Sequence, residues 1–439
     1  MADELVLVVG ELYVDYTHST GGGGSKLRLG GVAHAARGLW AAGVDYSIAA
    51  VCPSYLVDLA RSFLIGHGCK EFIWLAEVNG SPNVVLIGDA QEVGHQGYED
   101  LLRDSKSVAL NSVDLSGYER VVVFPGKFDL SSVAEMLTES SSVSLDIAYD
   151  VHDLGDLDAL RGRIGLIAIS TSSPLFMNVG SEDVDRLLSR LFELDPEAVL
   201  LKENRGGSRL FDAPGVPGEE IPAVLGETVN SVGVGDVYTA VMVGLQSHGW
   251  SCAAWRGAQA ATEYSGSTFP DDIRAGIQRQ FSLDVAVVRD LGGVSLPWHD
   301  RRRYSIYLAA PDFSYLNNPE IALAIESMEY HNFSVRRPVV ENGELVRPAK
   351  QFDLVQVYHK DCELLRQCDV VFAIPIGRDP GTLVEIGMAI ELGKSVITFD
   401  PRGENENTMV IGGSYSYSPN LDVSLNALYS ALSMLRRAP

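Results

Sequence analysis

The chain is poor in positive charge: 34 lysine and arginine residues face 58 aspartate and glutamate residues among 439, so its formal net charge is −24. A field of this sign repels phosphate backbones and anionic lipid. The composition therefore disfavours a protein that binds nucleic acid or a membrane surface, and we expect neither kind of partner. Small phosphorylated ligands stay compatible with it wherever local basic side chains or backbone amides outweigh the overall charge.

Cysteine is scarce as well, and long hydrophobic runs are missing. The five cysteines form no C-x-x-C pair and lack the spacing of a zinc site, which predicts reduced thiols and no metal centre. No stretch reaches the ~18–20 apolar residues of a membrane-spanning helix. The opening segment MADELVLVVGELYVD is acidic where a signal peptide is basic. Together these features predict a soluble, cytoplasmic protein.

Internal repeats with a period of about 20–50 residues are absent from the sequence, which excludes a solenoid. Apolar residues make up 46% of the chain, enough for buried cores, and the length suggests two or three domains. Short apolar runs alternate with helical patterns such as Val184–Phe192, which predicts a parallel sheet covered by helices on both faces. The predicted strands of this first part are Leu5–Val9, Tyr46–Val51, Val121–Phe124, Ile164–Ile169 and Val199–Leu201.

Three segments interrupt this alternation. Gly21–Gly24 predicts a surface turn, and Glu77–Ile87, with alternating polar and apolar residues, predicts a small antiparallel flap. Leu291–Arg303 contains two glycines, a proline and three consecutive arginines, and a second α/β alternation begins after it. We therefore expect one domain over residues 1–290, a linker over 291–303 and a second domain over 304–439. The second domain is predicted to contain strands Tyr304–Ala309, Val370–Ile374 and Ser395–Phe399 and helices Pro319–His331 and Thr382–Leu392.

A glycine-rich turn ends in an aspartate at the start of a long apolar helix. It consists of Gly233, Val234, Gly235 and Asp236. Glycines at a helix start let backbone amides converge on one small volume, where the helix dipole favours negative charge. A carboxylate beside such an anion hole can deprotonate a hydroxyl while the amides hold a phosphoryl group. A plain turn is the alternative for such a short string.

The surroundings of this turn resemble the ribokinase-like (PfkB-type) family of carbohydrate and nucleoside kinases over about residues 4–280. Gly233–Asp236 matches the family's GAGD, and Leu200–Asp212 resembles its strand-turn-strand beside the nucleotide site. Gly10 and Asp15 match a motif that binds sugar hydroxyls, and Gly30-Gly31 match the glycine pair before the first helix. The resemblance implies a three-layer α/β/α domain with a small β lid at Glu77–Ile87. It also implies Asp236 as the base for phosphoryl transfer from ATP to a hydroxyl, with Mg²⁺.

Three departures from the family pattern leave an alternative open. The run after the glycine pair carries His34, with alanines on both sides, where the family has an asparagine. Asn178 and Glu182 are one residue too far apart for its Asn-x-x-Glu, and the turn KENRGG lacks the first glycine. The alternative is a sugar- or nucleoside-binding domain that keeps the fold without kinase activity.

Four acids recur in the last third of the chain: Asp361, Asp369, Asp379 and Glu385. Asp379 follows an apolar strand on a Gly/Pro loop, and Glu385 falls in the first turns of the next helix. Loops after the carboxyl ends of strands form the ligand crevice of open α/β sheets. A glutamate there is placed like a nucleophile for an anomeric carbon. Taken singly, each acid is also explained as a helix or turn cap.

As a set, these acids resemble the nucleoside 2-deoxyribosyltransferase family over about residues 303–439. Tyr307–Pro311 resembles the family's YLAGP strand, and the segment DPGTLVEIGMAIELGKSVI is close to its signature. Asp379 precedes Glu385 by six residues, as in the family, and Asp361 and Asp369 match its substrate-binding region. The resemblance implies a smaller Rossmann-like, flavodoxin-like parallel-sheet domain that needs no cofactor.

The resemblance also implies a double displacement. Glu385, oriented by Tyr307, attacks C1′, and Asp361 or Asp379 hydrogen-bonds or protonates the leaving base. Asp369 is expected to bind substrate, as is Asn407 from a neighbouring subunit, with Asn405 as a competing candidate. The family also contains hydrolases of nucleotides; Ser314, Arg378 and Ser414 are phosphate-binding candidates or solvated loop residues, so transfer and hydrolysis both stay open.

Two domains of these kinds suggest two steps on related nucleosides, nucleotides or sugars. Either the C-terminal domain releases a sugar that the N-terminal domain phosphorylates, or a nucleoside is phosphorylated first and then cleaved. The alternative is an N-terminal module that has lost catalysis and senses a nucleotide to gate the C-terminal N-glycosidase, in a nucleotide-depleting defence role. Both families imply a homo-oligomer.

Overall fold

The computed structural model describes residues 5–18, 25–345 and 349–438. The predicted turn Gly21–Gly24 lies outside these ranges. The chain forms two compact units, one made of residues up to Gln91 together with Gln96–Ser295, the other of Glu92–His95 together with residues from Leu296 onward. The domain limits given above stay a prediction. In the part of the chain that the structure describes, no helix combines the length and apolarity needed to cross a membrane.

The N-terminal unit alternates strands and helices along most of its length. Its strands are β1 (Val6–Thr17), β2 (Lys26–Gly31), β3 (Tyr46–Cys52), β4 (Cys69–Asn79), β5 (Val84–Ile87), β6 (Glu99–Asp100), β7 (Ser107–Leu110), β8 (Arg120–Val123), β9 (Ser142–Asp146), β10 (Ile164–Ser170), β11 (Ala198–Lys202), β12 (Ser208–Phe211) and β13 (Glu219–Ile221). Its helices are α1 (Val32–Ala42), α2 (Ser54–Gly66), α3 (Leu130–Met136), α4 (Val184–Phe192), α5 (Val234–Gly244), α6 (Trp250–Ser265), α7 (Pro270–Phe281) and α8 (Val285–Leu291). The helix predicted over Val184–Phe192 is confirmed at both ends.

The main sheet of this unit has the order β13-β12-β11-β10-β9-β8-β1-β3-β4-β7. The strands from β11 to β4 run parallel, and β12, β13 and β7 are antiparallel additions at the edges. Val6 and Val8 pack in a core shared with α1, α2, α5, α6 and α7. Leu7 and Val9, which point the other way, are equally buried. Both faces are therefore covered, and the predicted three-layer α/β/α class is confirmed.

A small sheet grows from the second half of β1. Leu12–Thr17 pairs antiparallel with β2, and Val14–Thr17 pairs parallel with β5, which in turn pairs antiparallel with β6. The prediction of one antiparallel flap over Glu77–Ile87 is wrong in detail. Glu77–Asn79 ends β4 in the main sheet, and only Val84–Ile87 joins the small sheet. The alternation of polar and apolar residues was misleading because β4 and β5 each expose one side to solvent, although they belong to different sheets.

A buried lysine ties the small sheet to the main sheet. Lys106 Nζ lies 2.8 Å from Glu11 Oε2 and 2.8 Å from Asp100 Oδ2, and its side chain is fully buried. Glu11 belongs to the part of β1 inside the main sheet, whereas Asp100 ends β6. Removing one partner of such a pair would leave a buried charge, which is strongly destabilising.

The C-terminal unit contains a second sheet with its own helices. The strands are β14 (Ser305–Ala309), β15 (Ser334–Arg336), β16 (Val370–Ala373), β17 (Ser395–Phe399) and β18 (Ser416–Ser418). The helices are α9 (Trp298–Arg301), α10 (Pro319–Tyr330), α11 (Pro338–Asn342), α12 (Gln351–Gln367), α13 (Pro380–Glu391), α14 (Thr408–Gly413) and α15 (Leu421–Arg437).

All five strands of this sheet are parallel, in the order β15-β14-β16-β17-β18. Numbered along the unit this order is 2-1-3-4-5, the flavodoxin-like arrangement, so the predicted fold class is confirmed here too. Side chains of α12, α13 and α14 pack against one face of the sheet. The order reverses between β14 and β16, and ligands of such sheets bind outside the carboxyl ends of the strands at this point.

Candidate functional sites in the two units

The glycine-rich turn of the N-terminal unit lies at the start of α5. Gly233 immediately precedes the helix with φ +80°, and a Cβ at this position would lie 2.1 Å from the ring of His34. Only glycine meets both conditions. Val234 and Gly235 open the helix, and Asp236 follows in its first turn. First-turn amides have no partner within the helix and favour anions, so the predicted phosphate-binding turn has suitable geometry.

Lys202 places its ammonium group beneath this turn. Its Nζ lies 2.6 Å from Asp146 Oδ2, 3.3 Å from the backbone oxygen of Gly235 and 3.2 Å from Thr239 Oγ1. Thr239 also donates a hydrogen bond to Asp146 Oδ2. Both charged side chains are buried. The ion pair therefore fixes the first turns of α5 to the carboxyl ends of β9 and β11.

Asp236 is partly buried beside this pair. Burial raises the pKa of Asp236 to about 7; the nearby Asp146 carboxylate adds to this effect, and the Lys202 ammonium opposes it. A carboxyl group whose pKa lies near neutrality can exchange a proton with little driving force in either direction. The side chain is thus electrostatically suited to the base role that the sequence predicted for it.

The predicted sugar-binding residues Asp15, Gly30 and Gly31 lie together, but Asp15 is already paired. Its Oδ2 lies 2.9 Å from His34 Nε2 and 3.4 Å from Arg28 Nε. Gly30 packs directly on the carboxylate, because a Cβ there would come within 1.9 Å of Oδ1. Oδ2 of the carboxylate is therefore occupied by side chains of its own unit.

Arg28 and His34 extend from Asp15 toward the glycine-rich turn. Arg28 Nη2 donates to Asn230 Oδ1 and to the backbone oxygen of Val232, each at 2.9 Å. His34 Nδ1 lies 2.7 Å from the hydroxyl of Tyr264, and the His34 ring lies against Gly233. These two side chains occupy the space between Asp15 and the segment leading to Asp236.

The protonation of His34 follows from its surroundings. Burial lowers the pKa of His34 to about 4, with Asp15 opposing that effect and Arg28 adding to it. Burial opposes ionisation of Asp15, but His34 and Arg28 hold the pKa of this carboxyl below its usual value. At neutral pH a neutral imidazole donates from Nε2 to Asp15 and accepts at Nδ1 from Tyr264. Both ring nitrogens of His34 therefore have partners within the chain, whereas Nε of Arg28 is buried without a hydrogen bond.

The residues around the turn fit a phosphate group better than they fit Mg²⁺. The first turn of α5 and Lys202 supply amides and a positive charge, as a nucleotide phosphate requires. Within residues 5–18, 25–345 and 349–438, no group of three or more His, Cys, Asp or Glu side chains could hold a metal ion. Asp146, whose charge raises the pKa of Asp236, forms an ion pair with Lys202. The side chains therefore do not form a Mg²⁺ site by themselves.

In the C-terminal unit, Tyr307 and Glu385 form a short hydrogen bond. The hydroxyl of Tyr307, a fully buried residue in β14, donates to Glu385 Oε1 at 2.6 Å. Glu385 lies on α13, which begins just beyond the carboxyl end of β16. Since β14 and β16 are neighbours in the sheet, the bond lies where the strand order reverses. Sequence and structure thus agree on the partner of Glu385.

Burial and the charges of two further acids raise the pKa of this glutamate. Burial raises the pKa of Glu385 to about 8; the Tyr307 hydrogen bond lowers it, and the carboxylates of Asp361 and Asp379 raise it. Burial also raises the pKa of Asp361, against the effect of a hydrogen bond from Asn342. Two carboxyl groups with raised pKa values, Glu385 and Asp361, at the ligand-binding edge are typical of a catalytic centre.

The two candidate acids have different partners. Asp379 caps α13, since its Oδ2 accepts hydrogen bonds from the Thr382 amide at 2.8 Å and from Thr382 Oγ1 at 3.0 Å. Asp361 lies within α12, and its Oδ1 accepts a hydrogen bond of 2.7 Å from Asn342 Nδ2. The capping interpretation of Asp379 is thus realised, although a cap does not exclude contact with a substrate.

Asp369 is not brought to this cluster. It precedes β16, and its Oδ2 accepts from the Ser305 amide at 2.7 Å and from Ser305 Oγ at 3.2 Å. It therefore lies at the amino ends of β14 and β16, on the opposite edge from Glu385. Its position gives the exposed carboxylate a structural role as a strand cap, and its predicted substrate contact stays a prediction without geometric support.

The two asparagines after β17 differ in exposure. Asn407 is exposed and caps α14 through a hydrogen bond from the Met409 amide at 2.9 Å. Asn405 is buried, and its side-chain amide donates a hydrogen bond to the Pro375 backbone oxygen. Asn407 is therefore the one with a side chain available to a neighbouring subunit.

The three phosphate candidates do not converge on Glu385. Ser414 Oγ is bonded within its own segment, to the Val410 backbone oxygen and Thr398 Oγ1. Arg378 donates to the Glu404 backbone oxygen at 2.7 Å. The amide of the exposed Ser314 donates a hydrogen bond to the Glu344 carboxylate, and this negative charge does not favour a phosphate there.

Several residues of these sites were not predicted. His34 marked a departure from the family, but its pairing with Asp15, which Arg28 also contacts, was not foreseen, because the three residues come from three separate segments. Lys202 lies inside a run that had been singled out, and its position at a strand end was the available signal. Asn342 had no signal, since it lies 19 residues from Asp361 on a separate helix.

The C-terminal fold and its site define a parallel α/β unit with a tyrosine-bound glutamate among carboxyl groups at the ligand edge. Residues 306–414 match the family model described as nucleoside 2-deoxyribosyltransferase. The resemblance predicted for this part of the chain is confirmed, and the chain carries a domain of that family here. The match supports a role in nucleoside metabolism and glycosyl transfer in general.

Solved structures similar to the N-terminal part include two ribokinases and a nucleoside kinase. Arabidopsis thaliana ribokinase, complexed with ribose and ATP, is 15% identical and covers 65% of this chain and 100% of its own, with a TM-score of 0.47. Thermotoga maritima ribokinase is 14% identical and covers 64% and 100%, with a TM-score of 0.47. Sinorhizobium meliloti adenosine kinase is 15% identical and covers 64% and 100%, with a TM-score of 0.48. A comparison with curated protein sequences finds no match.

Proposed function

We propose that the C-terminal unit cleaves or transfers the N-glycosidic bond of a nucleoside, 2′-deoxynucleoside or monophosphate through a covalent glycosyl-Glu385 intermediate. The observation that carries the proposal is the 2.6 Å hydrogen bond from the buried Tyr307 to Glu385 Oε1. It holds one carboxylate oxygen and leaves the other available for bond formation. The carboxyl groups of Asp361 and Asp379 lie close enough to raise the pKa of Glu385.

The reaction proceeds in two displacements. The ionised Glu385 forms an ester bond with C1′ as the bond from C1′ to the base nitrogen breaks, and an acid, Asp361 or Asp379, supplies a proton to the departing nitrogen. In the second displacement, a free base or water attacks C1′, returns a proton to the acid and restores the Glu385 carboxylate. Because burial raises the pKa of Glu385 to about 8, the free enzyme holds mostly the unreactive, protonated form at neutral pH.

Product analysis by mass spectrometry tests this proposal. The full-length protein is incubated with ribo- and deoxyribonucleosides and their monophosphates, with and without a second free base, beside Glu385→Gln. Glu391→Gln, an exposed glutamate at the end of the same helix, serves as the matched control. Base release without an acceptor means a hydrolase, and a new nucleoside formed only with the second base means a transferase. Full base release by Glu385→Gln contradicts the mechanism.

For the N-terminal unit we propose phosphorylation of a sugar or nucleoside hydroxyl by ATP, with Asp236 accepting the hydroxyl proton. Support comes from the helix N-terminus at Gly233–Gly235 and from a pKa of Asp236 of about 7. ATP supplies the phosphoryl group, and Lys202 keeps the turn in place. The measurement is ADP formation that depends on a sugar or nucleoside, compared with Asp236→Asn. An unchanged rate in that variant contradicts the kinase proposal.

A second candidate is a nucleotide-sensing module that has lost phosphotransfer and gates the C-terminal N-glycosidase. The observation that favours it is the pairing of Asp15 with His34 and Arg28, which both contact Oδ2 and so occupy this oxygen of the predicted sugar-binding carboxylate. The test is equilibrium binding of ATP together with ADP formation. Binding without turnover, combined with base release that responds to ATP, supports sensing. Sugar-dependent ADP formation by the wild type contradicts it.

We further propose that the protein forms a homo-oligomer in the cytoplasm. Neighbouring helices α11 to α14 present large apolar side chains that are at least 44% exposed. They are Val340, Phe352, Leu354, Val355, Tyr358, Val384, Met409 and Ile411. A monomer seldom exposes so many apolar side chains on adjacent elements. A second copy on this surface would lie near Asn407, the exposed cap of the helix that carries Met409 and Ile411.

A further inference from the structure

The acid that protonates the leaving base can be chosen from the geometry of the C-terminal unit, given the proposed glycosyl transfer on which this choice rests. Asp379 Oδ2 accepts hydrogen bonds from both the amide and the hydroxyl of Thr382, and these two bonds orient its carboxylate toward the start of α13. Asp361, in contrast, has Asn342 as its hydrogen-bonding partner among the residues that the structure describes. That bond uses Oδ1 and leaves Oδ2 free for a substrate.

The amide of Asn342 can only donate at its nitrogen. A proton on Asp361 Oδ1 would face that N–H group and could not form a hydrogen bond with it. The proton of a neutral Asp361 is therefore confined to Oδ2, the oxygen without a partner. A side chain that accepted hydrogen bonds at this position would hold the proton on the wrong oxygen.

Asn342 belongs to a segment whose charged side chains form ion pairs. It ends α11, and its neighbour Glu341 accepts two hydrogen bonds from Arg336, of which the Nε bond is 2.7 Å long. Arg336 ends β15 and lies opposite Tyr307 in the register of β14 and β15. On the next residue, Arg337 donates to Asp312 Oδ2 at 2.8 Å. The short helix is thus anchored on both sides to the strand ends that carry the site.

We propose that Asn342 is a positioning residue that fixes Asp361 as the general acid and reserves its Oδ2 for proton delivery to the leaving base. In this step the bond from C1′ to nitrogen breaks, Glu385 bonds to C1′, and the proton moves from Asp361 Oδ2 to the nitrogen. Asp361 becomes a carboxylate, stabilised by the Asn342 donor. In the second displacement, the incoming base or water returns a proton to Oδ2.

The test compares two probes that differ in their need for a proton. 2′-Deoxyadenosine releases a base that must be protonated, whereas nicotinamide 2′-deoxyriboside releases neutral nicotinamide without a proton. General acid catalysis contributes typically about 10²–10⁴-fold. We expect Asn342→Ala to lower kcat for 2′-deoxyadenosine by about 10- to 100-fold, part of that contribution. For nicotinamide 2′-deoxyriboside we expect less than about a threefold change, because the acid is not used.

Two further variants sharpen the result. Asn342→Asp has the same shape, but its new carboxylate accepts the Asp361 proton on the wrong oxygen, so the same selective loss is expected even if the alanine variant folds poorly. Gln367→Ala removes an amide that bonds to Glu363 at the surface of α12, the helix that carries Asp361; it is the matched control and should change neither rate. Equal losses with both probes overturn the inference and leave the proposed function intact. A wild type that releases neither base overturns the proposed function, and the inference with it.

Discussion

Replacing Tyr307 by phenylalanine removes the hydrogen bond to Glu385 without opening a cavity in the sheet. A hydrogen bond to a charged group contributes about 1.5–3 kcal/mol, and one pKa unit corresponds to about 1.4 kcal/mol. The bond favours the ionised carboxylate, so its loss should raise the pKa of Glu385 from about 8 by about one to two units. Glutamate must be ionised to attack, so the rate at about pH 7 should fall by about 10- to 100-fold.

The measurement is the pH dependence of kcat/KM with nicotinamide 2′-deoxyriboside, whose departure needs no proton and so reports the nucleophile alone. The wild type should show one limb that rises with pH around pH 8, and Tyr307→Phe should move it upward, with similar rates at high pH. Tyr417→Phe, which removes a tyrosine–carboxylate bond of equal length to Asp400, is the matched control and should leave the limb in place. A uniformly lower rate with an unshifted limb refutes the reasoning.

Three further predictions concern stability and assembly. The pKa of His34 is about 4 in the folded chain against an ordinary 6.5, so unfolding takes up a proton when the pH lies between these values. The free energy of unfolding of the N-terminal unit should therefore fall by about 3 kcal/mol as the pH falls through that window. In urea titrations, His34→Asn should show a flatter dependence of stability on pH. Lys202→Met leaves Asp146 buried without its partner, so the free energy of unfolding should drop by about 3–5 kcal/mol, and adding Asp146→Asn should restore most of it in urea unfolding. Phe352→Glu should shift the protein toward monomer in sedimentation, whereas Val216→Glu, equally exposed in the other unit, should not; unchanged assembly in the first variant contradicts the proposed interface.

The sequence was most informative where burial alone determines structure. The apolar runs Val370–Ile374 and Ile164–Ile169 are buried on both faces, so their composition predicts parallel strands directly. The helix periodicity of Val184–Phe192 likewise reflects one buried face. The segment Glu77–Ile87 was misjudged because alternation indicates a half-exposed strand without indicating which sheet it joins.

The candidate sites divide in the same way. Tyr307 and Glu385 share a family motif pattern and do meet, because β14 and β16 are neighbours and α13 follows β16 directly. The partners of Asp15 come from a strand and a helix with no motif of their own, and whether a carboxylate is free or paired depends on three-dimensional contacts. Asp369 shows the converse, since spacing along the chain did not indicate which edge of the sheet it occupies.

Strand β1 belongs to two sheets at once, which has a mechanical consequence. Its first half is held in the centre of the main sheet, and its second half, with Asp15, carries the small sheet. A ligand cannot move the small sheet as a separate flap; it has to twist β1 near Glu11, where Lys106 clamps the strand. Closure of the N-terminal unit would therefore be a torsion of its central strand. Amide hydrogen exchange should report it as a change in protection at Leu12–Thr17, with no change from Glu11 toward the start of the strand.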